Sequence, residues 1–465
     1  MPASIEAGSL DRGGRGGYSG GMKESGGILK IAAPAMAGSL VETLYNLTDA
    51  FFLGKLGSAE ISAPSVSTSL VFFLIIFATG LSGAGTTLIA QVKGRGDGER
   101  MNFYMNQTAL ILAAASGILT VSGLVLARPV LRLLNTPPEV LGPALTYLRI
   151  VLGGMPFMFA YFLLQASFSA VGDTLTPLRV HLAAVLFNVV LDPLLIFGFG
   201  PIPAFSVAGA ASATVISQGL GAVLSLRILA KGRGPLRLRR SLLRPDPKAA
   251  ALILRIGLPS SVGQALSALG FTVLQGVVNL FGTGVIAAFG VGNRLIGLFD
   301  LPAHGLSVAT TSLVGQALGA RDEVRAARVV KSALLLCLVL VGLPLGASVV
   351  FGGHLVRIFV ADPEAVAVGD LMFKVVAPSV LFFCLYLVLT GAFQGAGDTR
   401  VIMVLSVVRL WVVRVPLAYA LAFLAGMGPM SIWIAMFVSN LVTALAGFAW
   451  FRGGGWRKAL RDAEV

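Results

Sequence analysis

The sequence predicts an all-α polytopic membrane protein, with twelve transmembrane helices in two six-helix bundles related by a pseudo-twofold axis. Three observations predict it. The first is composition: of 465 residues 56% are apolar and 12% charged, with a mean hydropathy of +0.87. A soluble chain of this length could not cover itself with so little polar surface. The second is that the apolar residues fall into stretches of about 20, enough for a helix to cross the hydrocarbon. Strand-like alternation is absent, so helices rather than a barrel are expected. The third is an internal repeat. Residues 34–174 recur 225 positions later, where Pro34 meets Pro259, Gly57 meets Gly282, Gln91 meets Gln316 and Gly94 meets Gly319. Asp97 meets Asp322, Arg132 meets Arg357, Pro138-Glu139 meets Pro363-Glu364, and Gly172-Asp173-Thr174 meets Gly397-Asp398-Thr399. Apolar matches come cheaply in such a chain, so only glycine, proline, charged and amide positions count as evidence.

Taken in order, residues 1–27 are glycine-rich and lack the apolar core of a signal peptide. They are expected to form a disordered cytoplasmic tail. The spans are placed at about 28–54, 61–91, 103–127, 142–168, 180–200 and 206–227, then 251–279, 285–316, 330–351, 371–394, 401–424 and 430–450. The N-terminal bundle is thus 28–227 and the C-terminal bundle 251–450. A basic cytoplasmic linker, 228–250, joins them, and 451–465 forms a second cytoplasmic tail. Links after even-numbered spans carry Lys93, Arg95, Arg100, Arg179, Arg321, Arg325, Arg328, Lys331 and Arg400. The opposite links hold only Lys55, Arg128, Arg132 and Arg357. The positive-inside rule therefore puts both termini in the cytoplasm. It also accounts for the formal net charge of +14 without nucleic acid as a partner. Six spans per half make the repeat parallel, with its axis along the membrane normal and a pathway between the halves.

An acid inside a span is expensive and marks a functional candidate. Four qualify: Glu42, Asp49, Asp192 and Asp300. Glu42, Tyr45, Asn46 and Asp49 share one face of span 1 at spacing i, i+3, i+4, i+7. Asn188 and Asp192 share a face of span 5, and Pro193 follows the acid, where it removes a backbone donor. Span 4 adds Tyr161 and Gln165, and span 6 adds Ser212, Thr214, Ser217 and Gln218. Two close carboxylates in low dielectric need a counter-ion. They would share a proton or hold Na⁺, with Asn188 and Thr214 supplying neutral oxygens as hard cations require. No Lys or Arg lies inside spans 1, 5 or 6 away from their ends, which weighs against simple ion pairing. Glu42 is read as facing the cavity, where it attracts a positively charged substrate. Asp300 is read as a partner of Arg409 or Arg414, or as a substrate contact. The repeated Gly-Asp-Thr turns and the Gln91–Asp97 and Gln316–Asp322 links are read as structural elements or gates. Two cysteines in apolar stretches and three scattered histidines offer no disulfide framework, metal cluster or catalytic constellation.

These features resemble the MATE (multidrug and toxic compound extrusion) family, in its DinF-like prokaryotic branch, over residues 28–450. The carriers are Lys30-Ile31-Ala32-Ala33-Pro34, the stripe in ETLYNLTDAFFLGKLG, the two Gly-Asp-Thr turns, NVVLDPLLIFGFG at 188–200 and AGAASATVISQ at 208–218. The resemblance implies alternating access by rocking bundles. It implies efflux of organic cations or amphiphiles driven by inward H⁺ or Na⁺, in a bacterial or archaeal cytoplasmic membrane. No cofactor and no enzymatic activity are implied, and the expected state is a monomer. It places a cation or proton site on Asp49, Asn188, Asp192 and Thr214, with Tyr45 nearby, and helix bends at Pro34 and Pro193. Glu42 departs from the pattern, which has a neutral amide there. A lipid-linked saccharide flippase of the same superfamily is the alternative; its cleft would be rich in arginine, whereas this one reads as acidic. The repeat breaks where the acids stand: Glu42 faces Ser267, Asn46 faces Phe271 and Asp49 faces Leu274. Near Asp192 the register drifts by about two, to Val415 or Leu417. The coupling chemistry is therefore expected in the first copy alone.

Overall fold

The computed structural model describes residues 16–55, 58–201, 203–232, 236–357 and 363–460. Among them the chain runs as α1 (Gly16–Gly54), α2 (Ser58–Arg95), α3 (Gly98–Leu133), α4 (Pro138–Ala170), α5 (Leu175–Phe197) and α6 (Ser206–Lys231). The second half runs as α7 (Pro247–Asn279), α8 (Thr283–Gly319), α9 (Glu323–Leu340), α10 (Gly342–Arg357), α11 (Pro363–Ala396), α12 (Thr399–Val407), α13 (Val415–Tyr419) and α14 (Met430–Gly453). Together α9 and α10 make the ninth expected span. The eleventh is α12 and α13 with π-helical turns at Val408–Arg414 and Ala420–Leu424. Eleven stretches among the described residues are long and apolar enough to cross a membrane. The 37-residue α8 is the twelfth membrane-length helix and packs against α1, α2 and α11.

Repeated turns do repeated work. Asp97 and Asp322 cap α3 and α9 by accepting from the Arg100 and Arg325 amides at 2.9 and 2.8 Å. Gly172 and Gly397 sit at φ of +80° and +81°, which glycine tolerates without steric cost. The threonines that follow reach sideways: Thr174 donates to the Ile31 carbonyl and Thr399 to the Ile256 carbonyl, both at 2.6 Å. Each Gly-Asp-Thr turn thus fastens the start of α5 or α12 to α1 or α7.

The halves interlock at the end that carries the basic links. A Cβ on Gly94 would stand 2.0 Å from the Gln316 carbonyl oxygen, and one on Gly319 would stand 1.9 Å from that of Gln91. The backbones of α2 and α8 therefore touch at a crossing that only glycine allows. Gln91 donates to the Gly395 carbonyl at 3.0 Å, and its copy Gln316 donates to the Ala170 carbonyl at 2.9 Å. Gly80 and Gly305, also 225 apart, press on the α7 and α1 backbones in the same way. The cores follow: Ile28, Ile31 and Ala32 of α1 belong to the core of the second half. Ala249, Ile253 and Ile256 of α7 belong to that of the first.

Three segments differ from the sequence expectation. First, α1 is already helical from Gly16, so only residues 1–15 of the expected tail lie outside the described residues. Its extension is held where Glu24 accepts from Arg325 at 3.2 Å. Second, the linker is shorter than 228–250 and is strapped to α3. The Asn102 and Asn106 carbonyls accept from the Arg237 and Arg239 amides at 2.7 and 3.1 Å. Gln107 donates to the Arg244 carbonyl at 2.8 Å and accepts from the Asp246 amide at 3.0 Å. Three side-chain amides thus satisfy backbone groups that hydropathy alone assigns to water. Third, part of the C-terminal tail docks: Trp456 is buried and stacks on Phe451 at 5.3 Å, and Leu460 packs under Gly397.

Gly319→Ala puts a methyl against the Gln91 carbonyl and should cost roughly 1–3 kcal/mol through overpacking. Gly98→Ala, with nothing within 4 Å, should stay within about 0.5 kcal/mol of wild type. Thermal unfolding of the purified variants in detergent compares the two, and equal losses contradict the crossing as described.

Candidate functional site

In the first half, α1, α5 and α6 bring four of the sequence candidates and Tyr45 to one place. Helix α6 approaches α5 closely because Gly209 lies against it; a Cβ there would sit 2.2 Å from the Leu195 carbonyl oxygen. That approach sets Thr214 beside the α5 face carrying Asn188 and Asp192. Asp192 is completely buried and Asn188 nearly so. Asn188 donates to Asp192 across the i, i+4 spacing at 3.3 Å. With its amide turned, the nitrogen donates to the other Asp192 oxygen at 3.1 Å and the oxygen accepts from the Thr214 amide at 3.3 Å. The second orientation satisfies both ends of the amide.

The α1 stripe completes the cluster. The carboxyl groups of Asp49 and Asp192 lie within hydrogen-bonding range of one another, and Tyr45 lies within range of Asp49. Tyr45 also donates to the Thr214 hydroxyl at 3.0 Å. No Lys or Arg bonds either acid among the described residues. Two carboxylates this close in low dielectric repel strongly unless a proton or a cation lies between them. The donor set is oxygen-rich and fits either.

One turn earlier on α1 a second group forms. Glu42, whose side chain is 53% exposed, pairs with His181 of α5 at 3.0 Å. The His181 ring stacks on Tyr161 of α4, with centroids 5.4 Å apart. Sequence reasoning set His181 aside as one of three scattered histidines; its partners come from other helices, and nothing local announces them. Tyr147 of α4 was also missed, although it lies within electrostatic reach of both Asp49 and Asp192. Asn46 and Gln165 are exposed and Gln218 is half-buried. None of the three makes a side-chain hydrogen bond among the described residues. Pro34 and Pro193 both sit inside unbroken helices.

In the second half, Asp300 makes no ion pair with Arg409 or Arg414. It accepts instead from the Cys384 thiol at 3.4 Å, and Arg414 is satisfied by Ser439 and Asn440. The expected pairing fails because the arginines sit on a π-helical turn that aims them at α14 and at aromatic rings.

The family model described as MatE matches residues 34–194 and again 259–420, one match per half in the register of the repeat. The chain belongs to the MatE family. It is 32% identical to the probable multidrug resistance protein YpnP of Bacillus subtilis, over 93% of this chain and 96% of that protein. It is 26% identical to the probable multidrug resistance protein NorM of Thermotoga maritima, over 93% of each. A crystal structure of MATE in the bent conformation superposes with a TM-score of 0.87 at 23% identity, over 95% of this chain and 98% of that one. An outward-facing multidrug resistance MATE transporter of the MOP superfamily also gives 0.87 at 23%, over 97% and 100%. The two sequence relatives are named as probable multidrug resistance proteins and the two structures as MATE proteins, and none favours the flippase alternative.

Carbodiimides modify protonated carboxyl groups in apolar surroundings. At neutral pH such a reagent should label Asp49 or Asp192, read by peptide mass spectrometry, while the solvated Glu99 stays unlabelled. Absence of label on both Asp49 and Asp192 at every pH contradicts a shared proton.

Proposed function

We propose that this MATE protein is a secondary antiporter that exports organic cations or cationic amphiphiles in exchange for protons, with Asp49 and Asp192 as the coupling pair. The observation that supports this reading is a carboxyl pair in hydrogen-bonding range, Asp192 buried and Asp49 half-buried, beside neutral donors and without a basic partner among the described residues. Charge on the pair depends on whether one proton is bound. A proton arriving from outside neutralises the pair, changes the packing of α1 against α5 and α6, and lowers affinity for a bound cation. Glu42, Tyr45, Asn46, Tyr161, Gln165 and Gln218 line the path on the same side, and the exposed Glu42 carboxylate supplies the charge that draws a cation in. Pro34 and Pro193 are the points where α1 and α5 bend as the bundles rock. Na⁺ would use Asp49, Asn188, Asp192 and Thr214, and the same assay separates the two ions.

The positive-inside rule applied to the basic links supports a cytoplasmic location for the α2–α8 crossing and both termini, in a bacterial or archaeal membrane. The closed crossing then corresponds to a state open to the outside. The pathway lies between halves of one chain, so a monomer suffices for transport.

Proteoliposomes carrying the purified protein should extrude a fluorescent organic cation when a pH gradient alone is imposed. Asp49→Asn and Asp192→Asn should each lower that flux about tenfold or more, in the range of typical coupling energies. Flux driven only by a Na⁺ gradient reassigns the ion. Gradient-driven flux that survives both substitutions sinks the coupling assignment.

A further inference from the structure

We propose that the second half holds a site of its own, for a single anionic group of the carboxylate class. A cavity of about 140 Å³ lies inside the C-terminal bundle, lined by Phe271, Asp300, Phe383, Arg409, Arg414 and Asn440 among others. Its two arginines stand five positions apart. In an α-helix that spacing sends side chains to different faces. Here the π-helical turn Val408–Arg414, bonded i to i+5, stacks them on one face toward the cavity.

The two guanidinium groups are held differently. Arg414 donates from Nε to Ser439 at 2.8 Å and from Nη2 to Asn440. Asn440 is in turn fixed by donating to the Ser379 hydroxyl at 2.9 Å, so this guanidinium is preorganised. Arg409 is only 5% exposed, and its Nε has no hydrogen-bond partner. It rests over the rings of Phe383 and Tyr386, at 4.7 and 5.6 Å from their centroids. Asp300 is the one carboxylate in the lining and bonds Cys384, and among the described residues neither arginine has an ion-pair partner. Two cations against one acid leave one buried positive charge uncompensated, which is costly in a membrane interior. A bound anion removes that cost. A guanidinium fork matches the two oxygens of a carboxylate, and the phenyl rings suit an aromatic body attached to it.

The position in the repeat strengthens the assignment. Ser439 stands 225 positions after Thr214, and Phe271 stands 225 after Asn46. The cavity therefore occupies in the second half the place of the acid pair in the first, with the sign of charge reversed. The natural occupant is the carboxyl group of an aromatic or zwitterionic amphiphile, or a free inorganic anion of similar charge.

Isothermal titration of the purified full-length protein with potassium benzoate tests this, with neutral benzamide as the isosteric control. Benzoate should bind and benzamide should not. Arg409→Gln should weaken benzoate about tenfold or more, as loss of a buried charge partner does. Asp300→Asn, which enlarges the positive excess, should strengthen it. Asp49→Asn should leave benzoate affinity unchanged, so this site and the coupling pair stand or fall separately. Competition by chloride identifies a free inorganic anion as the occupant, and indifference to chloride identifies a carboxylate group. Equal binding of benzoate and benzamide, wild-type affinity in Arg409→Gln, or no response to Asp300→Asn overturns the proposal. If Arg409→Gln does not fold, the Asp300→Asn comparison decides.

Discussion

Everything in this molecule turns on one close approach, the crossing of α2 and α8 at Gly94 and Gly319. Carbonyl oxygens of the opposite helix occupy the space a side chain would need at either glycine. Gln91 and Gln316 then bond across to Gly395 and Ala170, so the contact is both tight and hydrogen-bonded. In a membrane, where lipid competes for apolar contact, small residues and interhelical hydrogen bonds are what bind helices together. The crossing is also pseudo-symmetric. A pair of equal lever arms that meet at one end through a small, hydrogen-bonded contact can part there as rigid units with little change in internal packing, the behaviour expected of bistable packed units.

Duplication supplied that frame, and the membrane interior dictated what divergence did with it. Uncompensated charge is costly there, so each charged group inside a half needs a reason. The first half places Asp49 against Asp192, with Asn188, Thr214 and Tyr45 around them. The second half places Arg409 and Arg414 around a lone Asp300. The repeat loses register near Asp192, and the second copy there carries π-helical turns at Val408–Arg414 and Ala420–Leu424. By Ser431, the copy of Ser206, the 225-residue offset has returned.

Much of this was legible in the sequence because charge and glycine are rare signals in an apolar chain. Gly94, Gln91 and Thr174 stand out in the sequence with their copies, and each pair has matching partners. Asn188 and Asp192 were readable from i, i+4 spacing, and Asp49 from its place on the α1 stripe. What escaped was set by contacts between distant segments. His181 gains its meaning from Glu42 and Tyr161 on two other helices. The linker read as a solvated connector because its partners, Asn102, Asn106 and Gln107, bond its backbone rather than its side chains. In the sequence Asp300 reads as an ion-pair partner of Arg409 or Arg414, or as a substrate contact; it bonds Cys384 rather than pairing with either arginine, since a π-helical turn cannot be seen in an apolar run. The helix from Gly16 was hidden by glycines, which weaken helical propensity without forbidding it.

The central claim is that the state of the acid pair in α1 and α5 sets whether the α2–α8 crossing is closed. Spin labels at Arg95→Cys and Arg321→Cys, both exposed beside the crossing, report it directly; Cys337 and Cys384 are buried and stay unlabelled. Pulsed electron paramagnetic resonance should show a distance distribution that shifts between acid and alkaline pH in the wild type. With Asp192→Asn the distribution should no longer respond to pH. A shift of wild-type size in Asp192→Asn, or a single distance at every pH in the wild type, would contradict the account.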